Sequence, residues 1–510
     1  MDVLLFLTLP LPIILFIFIL IRKNGSTQEN RRRGRRPPGP KGLPFIGNLH
    51  QFDTSKLHLC LSDLSNKHGP LMYLKLGQVP AVVISSAQVA KQALKHNDLA
   101  FAGRPHTTPS KKLSYGYLDI ASSSQNDYWR EMRKTVVLLL FTLKQVHSFK
   151  PIREEEVSHM IDEITNLTLA GPSGRAVDLS ERVMAFSTKL LCRVAFGKRF
   201  DEGRRFQKLM VDFEKVSADV VLADFIPLFG LIDKLSGVVY RLDRAFVNMD
   251  SFLQQLIDEH LSPDRPVSMD GDFLDLLIRL REDDSASVKI DWNNIKAILM
   301  NIVVAGMETS ASAIVWALTA LTKKPCAMKK AQQEIRSLMA DSKKSFVDED
   351  DIEKLTYLKA VIKETLRLYP PLPLLVPKET MEKCIINGYD IEPKTFAFVN
   401  VWAIGRDPEY WKNPNEFLPE RFLNNNNSYD KSIDFKGQDF GFIPFGSGRR
   451  RCPGLSLGVA AVEMALANLL YSFDWELPPG VKEEDIDTDA SEGFTMRKKN
   501  PLCLIAKRYV

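Results

Sequence analysis

Residues 295–318 run almost without interruption through apolar side chains. A stretch of that length with no broad polar face reads as a helix buried nearly all round, the central element of a large fold. Segments 154–169, 242–261, 321–339 and 455–472 read as further helices. Segments 71–77 and 79–85 look instead like two strands meeting at a Gly77-Gln78 turn. No repeat of fixed period is found, so the expected architecture is mainly α with a small β-sheet region. At the amino end, residues 3–21 are apolar apart from Thr8, Pro10 and Pro12, and Arg22 and Lys23 follow at once. At about 1.5 Å per residue such a helix roughly spans a bilayer core. Arg31, Arg32, Arg33, Arg35 and Arg36 lie behind it, and the positive-inside rule then leaves the rest of the chain in the cytosol. Pro37-Pro-Gly-Pro40 cannot continue a helix and reads as a stiff linker. The expected organisation is an anchor over 1–23, a basic and Pro-rich hinge over 24–41 and one globular domain over 42–510. Asn424 to Asn427 reads as a polar run in a surface loop.

Composition supports a large enzyme and narrows little else. The 510 residues are 45% hydrophobic and 26% charged, enough for a sizeable core. Much of the net charge of +5 comes from the arginines behind the apolar segment, so it gives no sign of nucleic-acid binding. Cysteines 60, 192, 326, 384, 452 and 503 show neither a disulfide framework nor zinc spacing. Reduced cytosolic thiols fit that pattern.

One cysteine stands apart. Phe445-Gly-Ser-Gly-Arg-Arg-Arg-Cys452-Pro-Gly454 frames it at spacings that suit a thiolate bound to haem iron. A ligating sulfur must stay deprotonated, so backbone N–H groups have to face it while the chain leaves room for a flat macrocycle. Gly448 and Gly454 supply the backbone freedom for that approach. Arg450 offers a guanidinium to a haem propionate, and Phe445 would shield the thiolate from water. The bland alternative is a buried cysteine in a Gly-rich turn. The five set positions of Phe-x-x-Gly-x-Arg-x-Cys-x-Gly weigh against it.

This pattern resembles the cytochrome P-450 monooxygenases, and three separated segments agree with it. Glu364-Thr-Leu-Arg367 places both charges on one helical face. In the family that pair joins the arginine of a Pro-Glu-Arg-Phe segment, here Arg421 in Pro419–Phe422, to lock the core behind the haem. Ala305-Gly306-Met307-Glu308-Thr309-Ser310 carries an acid and a hydroxyl inside the long apolar segment, where each needs a partner or a purpose. The resemblance implies that Thr309 holds dioxygen and a water over the haem, that Glu308 feeds protons, and that the small pair Ala305-Gly306 lets the helix bulge. The ordinary alternative for Thr309 is a hydrogen bond to its own helix. Trp129 and Arg133 share a helical face and could both donate to a propionate. Lys378 stands where relatives more often carry an arginine, and a lysine neutralises a propionate without binding it bidentately.

The resemblance further implies the cytochrome P-450 fold, with a single catalytic domain behind an amino-terminal anchor in the endoplasmic reticulum membrane. It implies protohaem (heme b) with Cys452 as axial ligand, and O2 as co-substrate. NADPH serves only through a partner flavoprotein reductase, which docks on the face carrying Arg130, Lys134, Arg449 and Arg451. No Gly-x-Gly-x-x-Gly stretch suggests that the chain binds NADPH itself. Pro-Pro-Gly-Pro, Ala-Gly-x-Glu-Thr-Ser and Phe-Ile-Pro-Phe-Gly-Ser-Gly-Arg-Arg are most similar to plant microsomal members of the seventy-one clan. Those act on lipophilic terpenoids, phenylpropanoids, alkaloids or oximes. Substrate contacts carried from the fold are Tyr115, Leu118, Val304, Ala305, Leu374, Leu375 and Phe494, each with core packing as its alternative. Ser122-Ser-Ser-Gln-Asn126 departs from the Phe-x-Pro-Tyr-Gly type loop of close plant relatives. Two other functions fit parts of the pattern. A haem-thiolate isomerase or dehydratase would work without a reductase, and a non-catalytic haem scaffold would leave Glu308 and Thr309 without a use.

Overall fold

The computed structural model describes residues 35–170, 175–200, 203–265, 271–342, 344–423 and 433–509. The expected anchor over 1–23, most of the hinge and the Asn424 to Asn427 run lie outside the described residues. Along the chain come α1 (Leu57–His68), β1 (Leu71–Leu76) and β2 (Val79–Ile84), then α2 (Asp127–Leu140), α3 (Lys150–Ala170) and β3 (Ala176–Asp178). The helical middle follows with α4 (Leu179–Phe196), α5 (Gly203–Ala218), α6 (Val238–Leu261), α7 (Phe273–Glu282) and α8 (Trp292–Lys323). Next are α9 (Pro325–Ser342) and α10 (Thr356–Leu368), with the short strands β4 (Lys378–Glu379), β5 (Cys384–Ile386), β6 (Tyr389–Ile391) and β7 (Phe396–Val399). The chain closes with α11 (Leu455–Ser472), β8 (Phe473–Glu476) and β9 (Cys503–Arg508).

Local chemistry sets the boundaries that matter for the site. Asn126 starts α2 by accepting the Trp129 N–H at 2.7 Å, which fixes the phase at which Trp129 and Arg133 project. A capping box between Asp291 and Asn294 opens α8. The helix ends at Lys323 because Lys324, ahead of Pro325, takes φ −131° and ψ 73°, outside the helical region. The expected helix 321–339 is therefore split, its first residues ending α8 and the remainder forming α9.

The long apolar segment is α8, and its flanks are covered by α4, α11, α10, α9 and α7. Helices α8 and α11 are both apolar enough to cross a membrane by composition, yet both are mostly buried in the protein's own core. The main core is continuous through these helices, and two smaller clusters lie against the sheet. That sheet has the order β1-β2-β7-β4, with β1 and β2 antiparallel around the expected turn and β2 parallel to β7. β4 pairs antiparallel with β7, so Lys378 stands opposite Ala397. A bridge from Glu379 to Gly103 brings the segment of Arg104 alongside Lys378. Strands β3, β9 and β8 form a second sheet, and β5 with β6 a two-stranded third.

Candidate active site

The cysteine loop is wound tightly ahead of α11. Gly446 and Gly448 both have positive φ, 70° and 69°, which a residue with a Cβ adopts only under strain. A Cβ at Gly448 would also lie 2.4 Å from Asp98 Oδ1 and 2.8 Å from the Leu94 carbonyl. Gly454 differs from the sequence reading: its φ is −84°, so its use is its N–H, which donates to the Cys452 sulfur. Cys452 N donates to the Phe445 carbonyl at 3.0 Å, and the half-buried Phe445 ring packs edge-on against Phe435. Arg133 donates to the Arg451 carbonyl, which clamps α2 onto the loop. Burial pushes the Cys452 thiol up, while the Gly454 N–H and the Arg133 and Arg451 charges pull it back toward the thiolate. The sulfur stands two residues ahead of the α11 N-cap, where the helix dipole also favours negative charge.

Around the loop, cations outnumber the carboxylates that could balance them. Arg104, Lys378 and Arg450 are all buried. Burial first, then the Arg104 and Arg133 charges, push Arg450 down to about 8. Arg104 falls to about 10, mainly through burial, with Asp119 opposing. Lys378 is held well below the usual lysine range by burial, Arg104 and Arg450, and no hydrogen bond to its Nζ is found among the described residues. The guanidinium of Arg450 lies 3.8 Å over the Trp129 ring. It donates to the carbonyls of Ala102 at 2.9 Å, Ile120 at 3.4 Å and Ser123 at 2.6 Å. Trp129 Nε1 likewise donates to the Ile120 carbonyl at 3.0 Å. Of the four expected propionate partners, Trp129 and Arg450 thus engage the loop between Asp119 and Ser123. Arg104 escaped the sequence reading because it belongs to no motif; its Nη1 holds the Val376 and Pro377 carbonyls at 2.8 Å, directly before Lys378.

Helix α8 closes the other side. Ser310 Oγ would lie 3.8 Å from a Cβ at Gly458, six residues beyond Cys452. One turn before Ala305, Asn301 donates to Asp119 at 2.8 Å and accepts the Ala121 N–H at 3.1 Å. Ala305 is exposed although Ile302, Val303, Met307 and Glu308 around it are buried. A mid-helix residue of the central helix is accessible in this way only if it borders an interior space. Thr309 Oγ1 donates to the Ala305 carbonyl at 2.7 Å, and its lone pairs stay available to accept. No bulge interrupts the helix at Ala305-Gly306. The small pair admits α4, since a Cβ on Gly306 would meet Leu191 at 3.0 Å, and Ser187 Oγ donates to the Met307 carbonyl at 2.7 Å. Glu308 Oε1 lies 2.6 Å from Arg497 Nη1.

The residues expected to contact substrate are scattered in role. Tyr115 has φ 52° and its hydroxyl is committed to Asp250 of α6 at 2.7 Å, where Lys296 of α8 also binds at 2.8 Å. Leu118 is half-buried, and its carbonyl accepts the Tyr128 hydroxyl at 2.7 Å. Val304 packs with Phe196, Phe206, Met210, Met249 and Phe252. Leu374 is half-buried against the β1–β2 cluster. Leu375, with φ 52°, would lie 3.7 Å from a Cβ on Gly446 and so borders the cysteine loop. Phe494 is exposed, on a segment tied to α8 where Ser312 and Trp316 donate to the Met496 carbonyl at 2.7 and 2.6 Å.

Behind the loop, Glu364 and Arg367 are both fully buried, with Arg367 Nε and Nη2 on the carboxylate at 2.7 and 2.8 Å. Arg421 Nε and the Leu418 N–H complete the carboxylate at 3.0 and 2.8 Å.

A sulfur faced by a backbone N–H and two cations, a buried excess of positive charge beside it and an accessible floor on α8 together suit a flat dianion whose metal takes the sulfur, which is the requirement of a haem-thiolate protein. The Cytochrome P450 family model matches residues 37–505. The chain is 46% identical to xanthotoxol synthase of Pastinaca sativa over 99% of both chains. It is 45% identical to cytochrome P450 71B34 of Arabidopsis thaliana, over 94% of this chain and 95% of that one. With strychnine-11-hydroxylase of Strychnos nux-vomica it shares 44% identity over 92% and 91% of the two chains. A solved zebra fish cytochrome P450 with abiraterone superposes with a TM-score of 0.72 at 23% identity, covering 89% of this chain and all of that one. The chain belongs to the cytochrome P450 family, among its plant monooxygenases.

Lys378 offers a test of the cationic cradle with effects of opposite sign. Lys378→Met removes one of four mutually repelling charges, so the apoprotein should melt at a higher temperature. A charge-assisted bond to a propionate is worth about 1.5–3 kcal/mol, so haem transfer to apomyoglobin should accelerate about tenfold or more. Unchanged haem loss would remove Lys378 from the cradle.

Proposed function

We propose that this chain is a membrane-anchored monooxygenase of plant specialised metabolism that inserts one oxygen atom of O2 into a lipophilic small molecule. Cys452 just ahead of α11, which packs on α8, with the Gly454 N–H on its sulfur and Ala305 of α8 accessible, carries this reading. The substrate class we favour is a polycyclic compound that contains an aromatic ring. Relatives named for xanthotoxol, for 6,7,8-trihydroxycoumarin and for strychnine support that choice. Electrons would come from NADPH through a separate flavoprotein, docking where Arg130, Lys134, Arg449 and Arg451 gather beside the cysteine loop. The apolar segment 3–21 with its trailing arginines supports residence in the endoplasmic reticulum membrane.

Bound haem supplies the redox and oxygen-activating chemistry. The chain's own residues do the rest. Cys452 donates its sulfur, and the Gly454 N–H with Arg133 and Arg451 stabilises the thiolate charge. Arg104, Lys378 and Arg450 compensate the propionates, and Trp129 stacks under Arg450. The Asn301–Asp119 link closes α8 over the loop and restricts water. Thr309, its O–H committed to the Ala305 carbonyl, would accept a hydrogen bond from a water beside the oxygen site, and Glu308 would supply protons to that water.

Thr309→Ala tests the reading. In reconstituted membranes, NADPH consumption should persist while product per NADPH falls and peroxide rises about tenfold or more, in line with the loss of a group that positions the proton-carrying water. Undiminished turnover without reductase would instead make the chain an isomerase or dehydratase.

A further inference from the structure

Glu308 does not stand alone. Glu214 of α5 and Arg497 of the carboxyl-terminal segment converge on it. Arg497 Nη1 lies 2.6 Å from Glu308 Oε1 and 3.6 Å from Glu214 Oε2, so the two carboxyl groups share one guanidinium nitrogen. The Arg497 contact is close but misdirected, so Glu308 Oε1 is buried without a hydrogen bond. Two carboxylates brought this close repel each other unless one carries a proton. One guanidinium also balances only one of them in a buried site.

We infer that Glu214 stores the proton that Glu308 passes on, which makes Glu214 a positioning residue for proton delivery; this rests on the proton-feeding role assigned to Glu308. The transfer is balanced. The Glu214 carboxyl gives its proton to the Glu308 carboxylate, and the negative charge moves to Glu214, where Arg497 is its counter-ion. Glu214 then regains a proton from water at its accessible edge, since 14% of its side chain and 34% of that of Arg497 are accessible. Arg497 is held in place by the anchoring of Met496 to Ser312 and Trp316. Burial first, then the neighbouring Glu308 carboxyl, push Glu214 up to about 9 against the opposing Arg497 charge. Helix α6, packed against α5, adds no charged group to those acting on Glu214 among the described residues.

Haem-loaded wild type, Glu214→Gln, Glu214→Asp and Glu308→Gln, each with reductase in nanodiscs, test the inference. Infrared spectra of the wild type at pH 7.5, a working pH about 1.5 units below the Glu214 value, should show a buried carboxylic-acid C=O band that shifts in 2H2O. Glu214→Gln should lose that band, keep its carbon-monoxide spectrum, and lower product per NADPH about tenfold. In the wild type this coupling should fall as pH rises through about 9, because Glu214 then loses its proton. Glu214→Gln should show no such fall, and Glu214→Asp should restore part of the coupling. A band that survives in Glu214→Gln, or a lost band with unaltered coupling and pH profile, would overturn the inference. Normal coupling in Glu308→Gln would overturn the proton-feeding role of Glu308 as well, whereas impaired Glu308→Gln beside normal Glu214→Gln would overturn this inference alone.

Discussion

Arg367→Ala is expected to leave almost no haem-loaded protein at growth temperature. Arg367 is buried beneath the loop and meets five groups: both Glu364 oxygens, and the carbonyls of Gly405, Pro414 and Glu416. Its guanidinium also lies 5.2 Å from the Trp411 ring centroid. Alanine would leave Glu364, which has no accessible side-chain surface, balanced by Arg421 alone, and would orphan the Gly405 and Pro414 carbonyls, while Glu416 keeps Arg421 Nη2 at 3.4 Å. Breaking a buried ion pair from one side costs about 3–5 kcal/mol, and each orphaned buried acceptor about 1–3 kcal/mol more. Against a net stability of about 5–15 kcal/mol, the sum removes most or all of it. The segment 405–418 that Arg367 ties to α10 leads into the cysteine loop, so haem loading should fail together with folding. Haem per polypeptide after membrane expression and the yield of the thiolate-type carbon-monoxide spectrum measure this. A variant that loads haem normally and unfolds within about 1 kcal/mol of the wild type would show that the network stabilises little.

The parts of this site that were legible in the sequence are those whose geometry is local. The loop around Cys452 must turn within a few residues, so Gly446, Gly448 and Arg450 stand at short intervals from the sulfur. Glu364 and Arg367 share one turn of α10, and their i, i+3 spacing could be read directly. Helix α8 was legible because burial on all sides removes its polar face. What escaped depends on distant segments meeting. Arg104 reaches Lys378 only because the Gly103–Glu379 bridge joins segments far apart in the chain. Glu214 and Arg497 reach Glu308 from α5 and from the carboxyl-terminal segment. Ala305-Gly306 was read as a bulge, and the small side chains instead admit Leu191 of α4. The value of a small residue is set by whichever neighbour approaches it, and that neighbour is not written nearby in the chain.

Cys452→Ser should abolish monooxygenase turnover and the thiolate-type spectrum while the polypeptide still folds. Serine is slightly smaller and keeps a hydrogen-bond acceptor for the Gly454 N–H. Near-isosteric replacement at one buried position costs about 1.5 kcal/mol or less, and circular dichroism of the apoprotein should be unaltered. The loss is electronic. With burial pushing even the thiol up, a hydroxyl of far higher pKa would stay protonated, and a hard oxygen donates less electron density to iron than sulfur does. No other cysteine is placed to substitute. Cys192 lies in the main core and Cys384 under the first sheet; burial first and then the Glu156 charge push Cys192 far up, and burial first and then the Glu382 charge push Cys384 to about 11. Neither has a backbone N–H like that of Gly454 on its sulfur, and only Lys198 opposes burial at Cys192. A thiolate-type spectrum persisting in Cys452→Ser would require a different sulfur at the iron, and it would overturn the assignment of the loop as the metal site.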